Sequence, residues 1–349
     1  MVRHGRSPFG EDVTRQVRRS SPEDRRNRSC GRITRVQQTT PRVSAWLPYW
    51  WALALVWGSS FFLIKIGLQS FVPMQITFGR VLFGLLAVLA VMLVQRQPLP
   101  RWGAIWGHAA FVGLMTNVIP FTLFAWAETR VSSVLAGLFN AATPLFTALF
   151  ALLIVPHERL TRQRVVGLIV GFAGVLLVMG VWQGLSGDLV GSLACLGATL
   201  CYGVGVPWTR RYLAVRPEGG ARIMGAQLMC STVIMAVVVL IWTPVPAAVT
   251  WQSVAAVAVL GALATGLAFI WMFRVIALAG SVVSASVTYA TPLVSTALGI
   301  VVLGEAMTWN QPVGAVVVLI GAALVQGLIG RSSAPPPSSA STGGRTGTR

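Results

Sequence analysis

The sequence predicts an all-α integral membrane protein, with ten transmembrane helices arranged as two inverted five-helix units. Its composition, ten long apolar runs and an internal repeat lead to that fold. Of the 349 residues, 55% are hydrophobic and only 10% charged, with a mean hydropathy of +0.72. Soluble domains run nearer a quarter charged, which excludes a water-soluble enzyme of this length. The formal charge of +18 would suggest a nucleic-acid partner, but its distribution argues against one. Residues 1–47 hold eleven Arg against Glu11, Asp12, Glu23 and Asp24. The span 48–330 holds thirteen basic and five acidic residues, mostly in short gaps between apolar runs.

A bilayer-spanning helix needs about 20 mainly apolar residues. Runs of that kind lie near 48–68, 73–94, 104–126, 132–154, 162–182, 188–208, 222–242, 253–275, 281–303 and 311–330. Lipid leaves a helical bundle as the way for such segments to satisfy their backbones. Orientation follows from the basic residues of the short loops. Placing the amino end inside puts Arg96, Arg101, Arg159, Arg162, Arg164, Arg210, Arg211, Arg216, Arg222 and Arg274 on the inner side, and leaves only Arg130 in the outer gaps. Both termini are therefore expected in the cytoplasm of a cell with a multi-pass plasma-membrane protein. The arm 1–47 reads as disordered. It is a solvated tail, a contact for anionic lipid, or the product of a misassigned start, since no Met follows Met1 until Met74. The tail 331–349, with Pro335-Pro336-Pro337 and many Ser, Thr and Gly, reads as a disordered end.

The repeat is the most informative feature. Val131 to Ala136 and Ala142 to Thr147 return as Ala279 to Ser284 and Ala290 to Ser295, at an offset of 148. At an offset of 147, Glu158-Arg-Leu-Thr161 meets Glu305-Ala-Met-Thr308, and Gly167 and Gly174 meet Gly314 and Gly321. Gly113 corresponds to Gly261. The units span 48–182 and 188–330. Because each has five helices, the second enters the membrane from the opposite side. Inverted repeats are the architecture expected of secondary transporters, in which two related packings expose one central site alternately.

Trp57-Gly58-Ser59-Ser60-Phe61, Lys65 and Phe78-Gly79-Arg80 resemble the first two helices of an EamA unit. Gly137 to Leu145 with Thr143-Pro144, then Glu158-Arg-Leu-Thr161 and Gly167 to Gly174, resemble its later part. The sequence is thus similar over 48–330 to ten-helix members of the drug/metabolite transporter superfamily. That resemblance implies a secondary transporter, commonly an exporter of metabolites, amino acids or toxic compounds. The second copy departs from the pattern: Gly203-Val-Gly205-Val-Pro207 replaces Gly58-Ser-Ser60-Phe-Phe62, and Arg210 stands where Lys65 would.

Several residues are candidates for a substrate pathway. Gly167, Gly171 and Gly174, with Gly314 and Gly321, read as helix-packing faces. Pro120, Pro144 and Pro292 each remove a helix hydrogen bond, and the last two occupy equivalent places, which points to a central cavity or to kinks that serve shape alone. Asn117, Asn140, Thr143, Thr265, Ser286 and Tyr289 are polar groups at membrane depth, which face protein or a water-filled cavity. Trp57, Tyr202 and Trp271 add aromatic surface. Arg80 lies about 10 Å along its helix from Pro73, where it either snorkels outward or stays inward to attract an anionic group. Lys65 has the same choice. Glu128 either pairs with Arg130 or is the first carboxylate to test for proton coupling, while Glu158 and Glu305 read as loop or gate elements before the N-caps Thr161 and Thr308.

No metal-ligand spacing, phosphate loop or credible catalytic triad appears, so no cofactor is expected. The sequence therefore predicts a transporter of a small-molecule substrate within the lipid bilayer, coupled to protons or to a counter-solute. An uncoupled facilitator is the alternative, a membrane-embedded lipid-modifying enzyme lacks the acidic and His cluster it needs, and homodimer formation stays open.

Overall fold

A computed structural model describes residues 43–155, 161–180, 188–279, 283–284 and 286–328. Among these residues the regular structure is entirely helical. Eight helices are long and apolar enough to cross a membrane: α1 Ala45–Gly67, α2 Pro73–Val94, α3 Ala104–Ala127, α4 Ser133–Ile154, α5 Arg162–Met179, α6 Leu189–Leu213, α7 Gly220–Trp242 and α8 Trp251–Ala279. Two shorter apolar helices follow, α9 Val287–Val301 and α10 Asn310–Val325. They fall short of the lengths expected for the last two runs for local reasons. A turn at Ser286 precedes α9. After α10, Gly327 adopts φ +71°, its N–H bonds the Leu324 carbonyl, and the Leu328 N–H reaches back to the Ala323 carbonyl at 2.9 Å. That left-handed residue satisfies the last carbonyls and stops the helix.

At the amino end, helix begins at Val43, so the expected arm 1–47 is too long by its last five residues. The run Ala45-Trp46-Leu47 is apolar and continues into the first span, with Pro48 taken inside the helix. The rest of the arm, Glu158 and the tail 331–349 lie outside the described residues.

Packing follows small residues, because helices in lipid associate through close contact rather than through exclusion of water. α5 and α10 cross antiparallel with their backbones in contact. A Cβ on Gly167 would stand 2.8 Å from the Gly321 carbonyl, and one on Gly174 would stand 2.6 Å from the Val318 nitrogen. The pair is also tied at both ends. Asn310 donates to the Leu177 carbonyl at 3.0 Å, and Gln163, its counterpart at an offset of 147, donates to the Leu324 carbonyl at 3.1 Å. The same repeat relation governs the first helices of each unit. Gly58 on α1 packs against Val294 on α9, and Gly203 on α6 packs against Phe146 on α4, with Phe146 and Val294 an offset of 148 apart. Large apolar side chains such as Leu93, Leu153, Ile169 and Leu240 are exposed on the outside, the surface a lipid-embedded bundle presents.

Candidate functional site

Three π-helical turns occur among the described residues, one of them Thr209–Leu213 at the end of α6, and the candidate polar residues gather at the other two. Within α3, Leu114–Val118 forms a π-helical turn, and within α8, Ala262–Leu267 does the same. The two turns begin 148 residues apart, so they occupy equivalent places in the two units. A π turn inserts an extra residue into the spiral and is found frequently at functional positions. In α3 it runs into Pro120, whose missing N–H removes a ladder bond there.

A glycine precedes each turn and admits a neighbouring helix. A Cβ on Gly113 would stand 2.5 Å from the Ser231 hydroxyl on α7, and one on Gly261 would stand 2.6 Å from the Arg80 carbonyl on α2. The close approach brings side chains from α2 and α7 onto the turns. Arg80 donates from Nε to the Thr265 hydroxyl at 3.0 Å, with its guanidinium carbon 3.6 Å from the centre of the Phe121 ring. On the other side Gln227 donates to the Thr116 hydroxyl at 2.8 Å, and Asn117 donates to the Ser231 hydroxyl at 3.2 Å. Arg80 and Gln227 are 147 residues apart, so the arrangement is a pseudo-symmetric pair with a cation on one side and an amide on the other.

Of its two expected placements Arg80 takes the inward one, at 8% exposure. Among the described residues no carboxylate is in direct contact with this guanidinium, and the aromatic face and the hydroxyl supply part of the compensation its burial needs. Trp57 joins this group by donating to the carbonyl of Ala264, inside the second π turn, at 3.1 Å. Tyr202 packs against Phe124 with ring centres 6.3 Å apart and lies within electrostatic reach of Arg80. Thus Trp57, Arg80, Asn117, Tyr202 and Thr265 belong around the two turns.

The other predicted residues are placed elsewhere. Trp271 packs with Leu53, Ala54 and Ala268 where α1 meets α8. Ser286 accepts from Trp50 at 2.9 Å, an interhelical bond between α1 and the start of α9. Asn140 is half-buried and accepts from Thr143 at 3.4 Å across the break in α4 at Ala141-Ala142, which Pro144 follows. Pro292 does not match that break, and the symmetric opening expected there is corrected: α9 runs unbroken through it. The Thr288 carbonyl that Pro292 leaves without its N–H accepts from the Thr291 hydroxyl at 3.0 Å, so the helix is repaired in place. The Tyr289 hydroxyl is buried without a partner.

The charges at the other end of α3 also resolve. Lys65 donates to the carbonyls of Glu128 and Val131, at 2.6 and 3.0 Å. The expected pair of Glu128 with Arg130 is not formed. Arg130 instead bridges to Asp188 at 3.1 Å, because its side chain points outward over Trp126 while Glu128 turns inward to 1% exposure. Asp188 caps α6, and the Gly191 amide, with Arg130, holds its carboxyl below the ordinary carboxylate value. Thr161 caps α5 as expected, but Thr308 does not cap α10, whose N-cap is Trp309.

Two half-open grooves lie on either side of the Arg80 crossing, neither of them lined by Arg80 or Thr265. One, of about 360 Å3, is lined by Val88, Gln95, Gly220, Met224, Gly266 and Arg274. The other, of about 250 Å3, is lined by Phe71, Gln75, Phe78, Gly79, Val254 and Val257. They lie at opposite ends of α2 and α8, and the contact of Gly84 with Gly261 and Thr265 comes between them along both helices. Sequence reasoning missed Gln227, Ser231, Thr116 and Phe121. The repeat offset of 147 links Gln227 to Arg80 and was the available signal.

Among the described residues, no group of three His, Cys, Asp or Glu could hold a metal ion. The chain is similar to an uncharacterized inner membrane transporter, YedA, of Escherichia coli strain K12, with 30% identity over 188 residues, 52% of this chain and 60% of that protein. The chain thus matches about three fifths of the length of that relative. It is also similar to an uncharacterized transporter, YoaV, of Bacillus subtilis strain 168, with 22% identity over 77% of this chain and 92% of that one. One crystal structure superposes with a TM-score of 0.56 at 23% identity, covering 82% of this chain and 98% of the other, a likeness of fold. The EamA-like transporter family profile matches residues 45–180 and again 189–326, and the chain belongs to that family of membrane transporters.

Proposed function

We propose that the protein is a secondary transporter of the plasma membrane that exports a small metabolite, amino acid or drug-like compound by alternating access. In this reading α9 and α10 complete ten spans, the two five-helix units are inverted, and both termini are cytoplasmic. The observation that carries it is the pair of half-open grooves at opposite ends of α2 and α8, separated by a crossing built on two repeat-related π turns. A site reached from either end through two equivalent hinges is what alternating access requires. The antiparallel crossing of the equivalent helices α5 and α10 supports the inverted relation. Arg80 and Thr265, with Asn117, Trp57 and Tyr202, then line the pathway. Asn140, Thr143 and Tyr289 form a second polar set beside the α4 break. Substrate movement is coupled to protons or to a counter-solute.

The test compares metabolites in the medium of cells overproducing the intact protein with those of cells holding Arg80→Ala, or Asn140→Ala with Tyr289→Ala, at equal membrane level. A compound enriched outside by the intact protein, and lost with Arg80→Ala, is the expected result. Equal media from all three strains would remove the exporter reading.

A further inference from the structure

Charged groups converge on the 128–134 stretch that joins α3 to α4. Lys65 on α1 holds the carbonyls of Glu128 and Val131. Arg130 bridges to Asp188 at the head of α6. Glu305, ahead of α10, accepts from the Ser133 N–H at 2.9 Å, the Ser133 hydroxyl at 2.8 Å and the Val134 N–H at 3.0 Å. The connection is thus pinned from three other parts of the bundle, and each of these charges has a partner. Glu128 differs. It is 1% exposed, and neither of its carboxyl oxygens has a hydrogen-bond partner. The groups that face it electrostatically are Lys65 on α1, Arg80 on α2, Cys195 on α6 and Glu305 before α10.

We propose that Glu128 is a proton-binding site whose carboxyl is the neutral acid while the 128–134 connection is pinned, and the carboxylate when that connection opens to water. A carboxylate sealed from both water and donors is strongly disfavoured, whereas a carboxylic acid can remain buried. The ammonium beside it, Lys65, is engaged by the main-chain carbonyl of Glu128 itself. Loss of the proton to water sets the new carboxylate in competition with the Glu128 and Val131 carbonyls for that ammonium. Either outcome, capture of Lys65 or escape of the carboxylate to solvent, releases the connection from α1. Reprotonation from water at the same mouth, which the charge bias assigns to the outside, reverses the change with no other bond altered. This inference rests on the transporter reading where it makes the connection a proton-sensitive gate of the pathway, but the site is tested without substrate.

The test uses the full chain in lipid vesicles and hydrogen ions as the probe. Infrared difference spectra between wild type and Glu128→Gln at neutral pH should contain the carbonyl stretch of a protonated carboxyl, titrating away at alkaline pH. In a second measurement, Val131→Cys, at a position only 7% exposed, is labelled with a membrane-impermeant maleimide. Labelling should rise at least about tenfold over the same pH range with Glu128 present and stay low with Glu128→Gln. Should Glu128→Gln fail to reach the membrane, the wild-type titration carries the test alone. A wild type without the neutral-carboxyl band, or labelling that rises equally in both backgrounds, would overturn the proposal. Export failing while the band persists would instead count against the transporter reading.

Discussion

Replacing Gly321 by Ala tests whether backbone contact between α5 and α10 holds the two units together. A Cβ at Gly321 would stand 2.4 Å from both the Cα and the nitrogen of Gly171, and 2.7 Å from the Gly167 carbonyl. Ordinary contact begins at 3.4 Å, so the two backbones must part by about 1 Å. No flexible side chain stands at that point to give way. A gap of 0.5–1 Å already forfeits roughly a quarter to a half of each dispersion well along the crossing. Overpacking of this kind costs about 1–3 kcal/mol. Since about 1.4 kcal/mol is tenfold in an equilibrium constant, the folded-to-unfolded ratio at a fixed denaturing load should fall between several-fold and about a hundredfold. The assay is unfolding of the purified protein in bicelles, by heat and by denaturing detergent. Gly107→Ala is the control, because that glycine lies in α3 with nothing within 4 Å of its added Cβ. Helix propensity alone should make the control neutral or stabilising by up to about 1 kcal/mol. Equal unfolding curves for the two variants would refute the reasoning.

Two further outcomes are expected. The Asp188 carboxyl lies below its ordinary value of 3.8 in the folded protein, so its contribution is present above that pH and is lost as pH falls through the depressed value. Asp188→Asn should therefore lower the melting temperature at neutral pH, and the gap from wild type should close in acid below about pH 4. A gap independent of pH would show that the Gly191 and Arg130 contacts do not favour the ionised form. For topology, a reporter fused after residue 330 should be cytoplasmic, and a signal from the other side would overturn the ten-span reading.

Much of the fold was legible because lipid leaves few choices. A run of apolar residues must be helical there, and a repeat of small residues at a fixed offset must mark faces that touch. Gly167, Gly174, Gly314 and Gly321 were readable as packing for that reason, and the structure puts them backbone to backbone. The candidate site was less legible. Arg80, Asn117 and Thr265 stand out as polar residues in apolar surroundings, but their partners lie more than 100 residues away along the chain, Thr265 for Arg80 and Ser231 for Asn117. Nothing local reports a π turn, since its hydrogen bonds depend on which neighbour presses against the helix. Pro144 and Pro292, each preceded by a Thr, look equivalent in sequence and differ in the structure: the Thr291 hydroxyl bonds the Thr288 carbonyl that Pro292 leaves open, whereas the Thr143 hydroxyl bonds the Asn140 side chain.

From the sequence alone came the class of the protein, its two related units and the family they belong to, because hydropathy and repetition are properties of the chain and need no neighbours. Tertiary structure decided the pairing of the charges: Arg130 with Asp188 rather than Glu128, Lys65 with main-chain carbonyls, and Glu305 with the amides that open α4. A charge in a low-dielectric bundle is governed by whatever donor or acceptor lies within about 3 Å, and packing alone sets that distance.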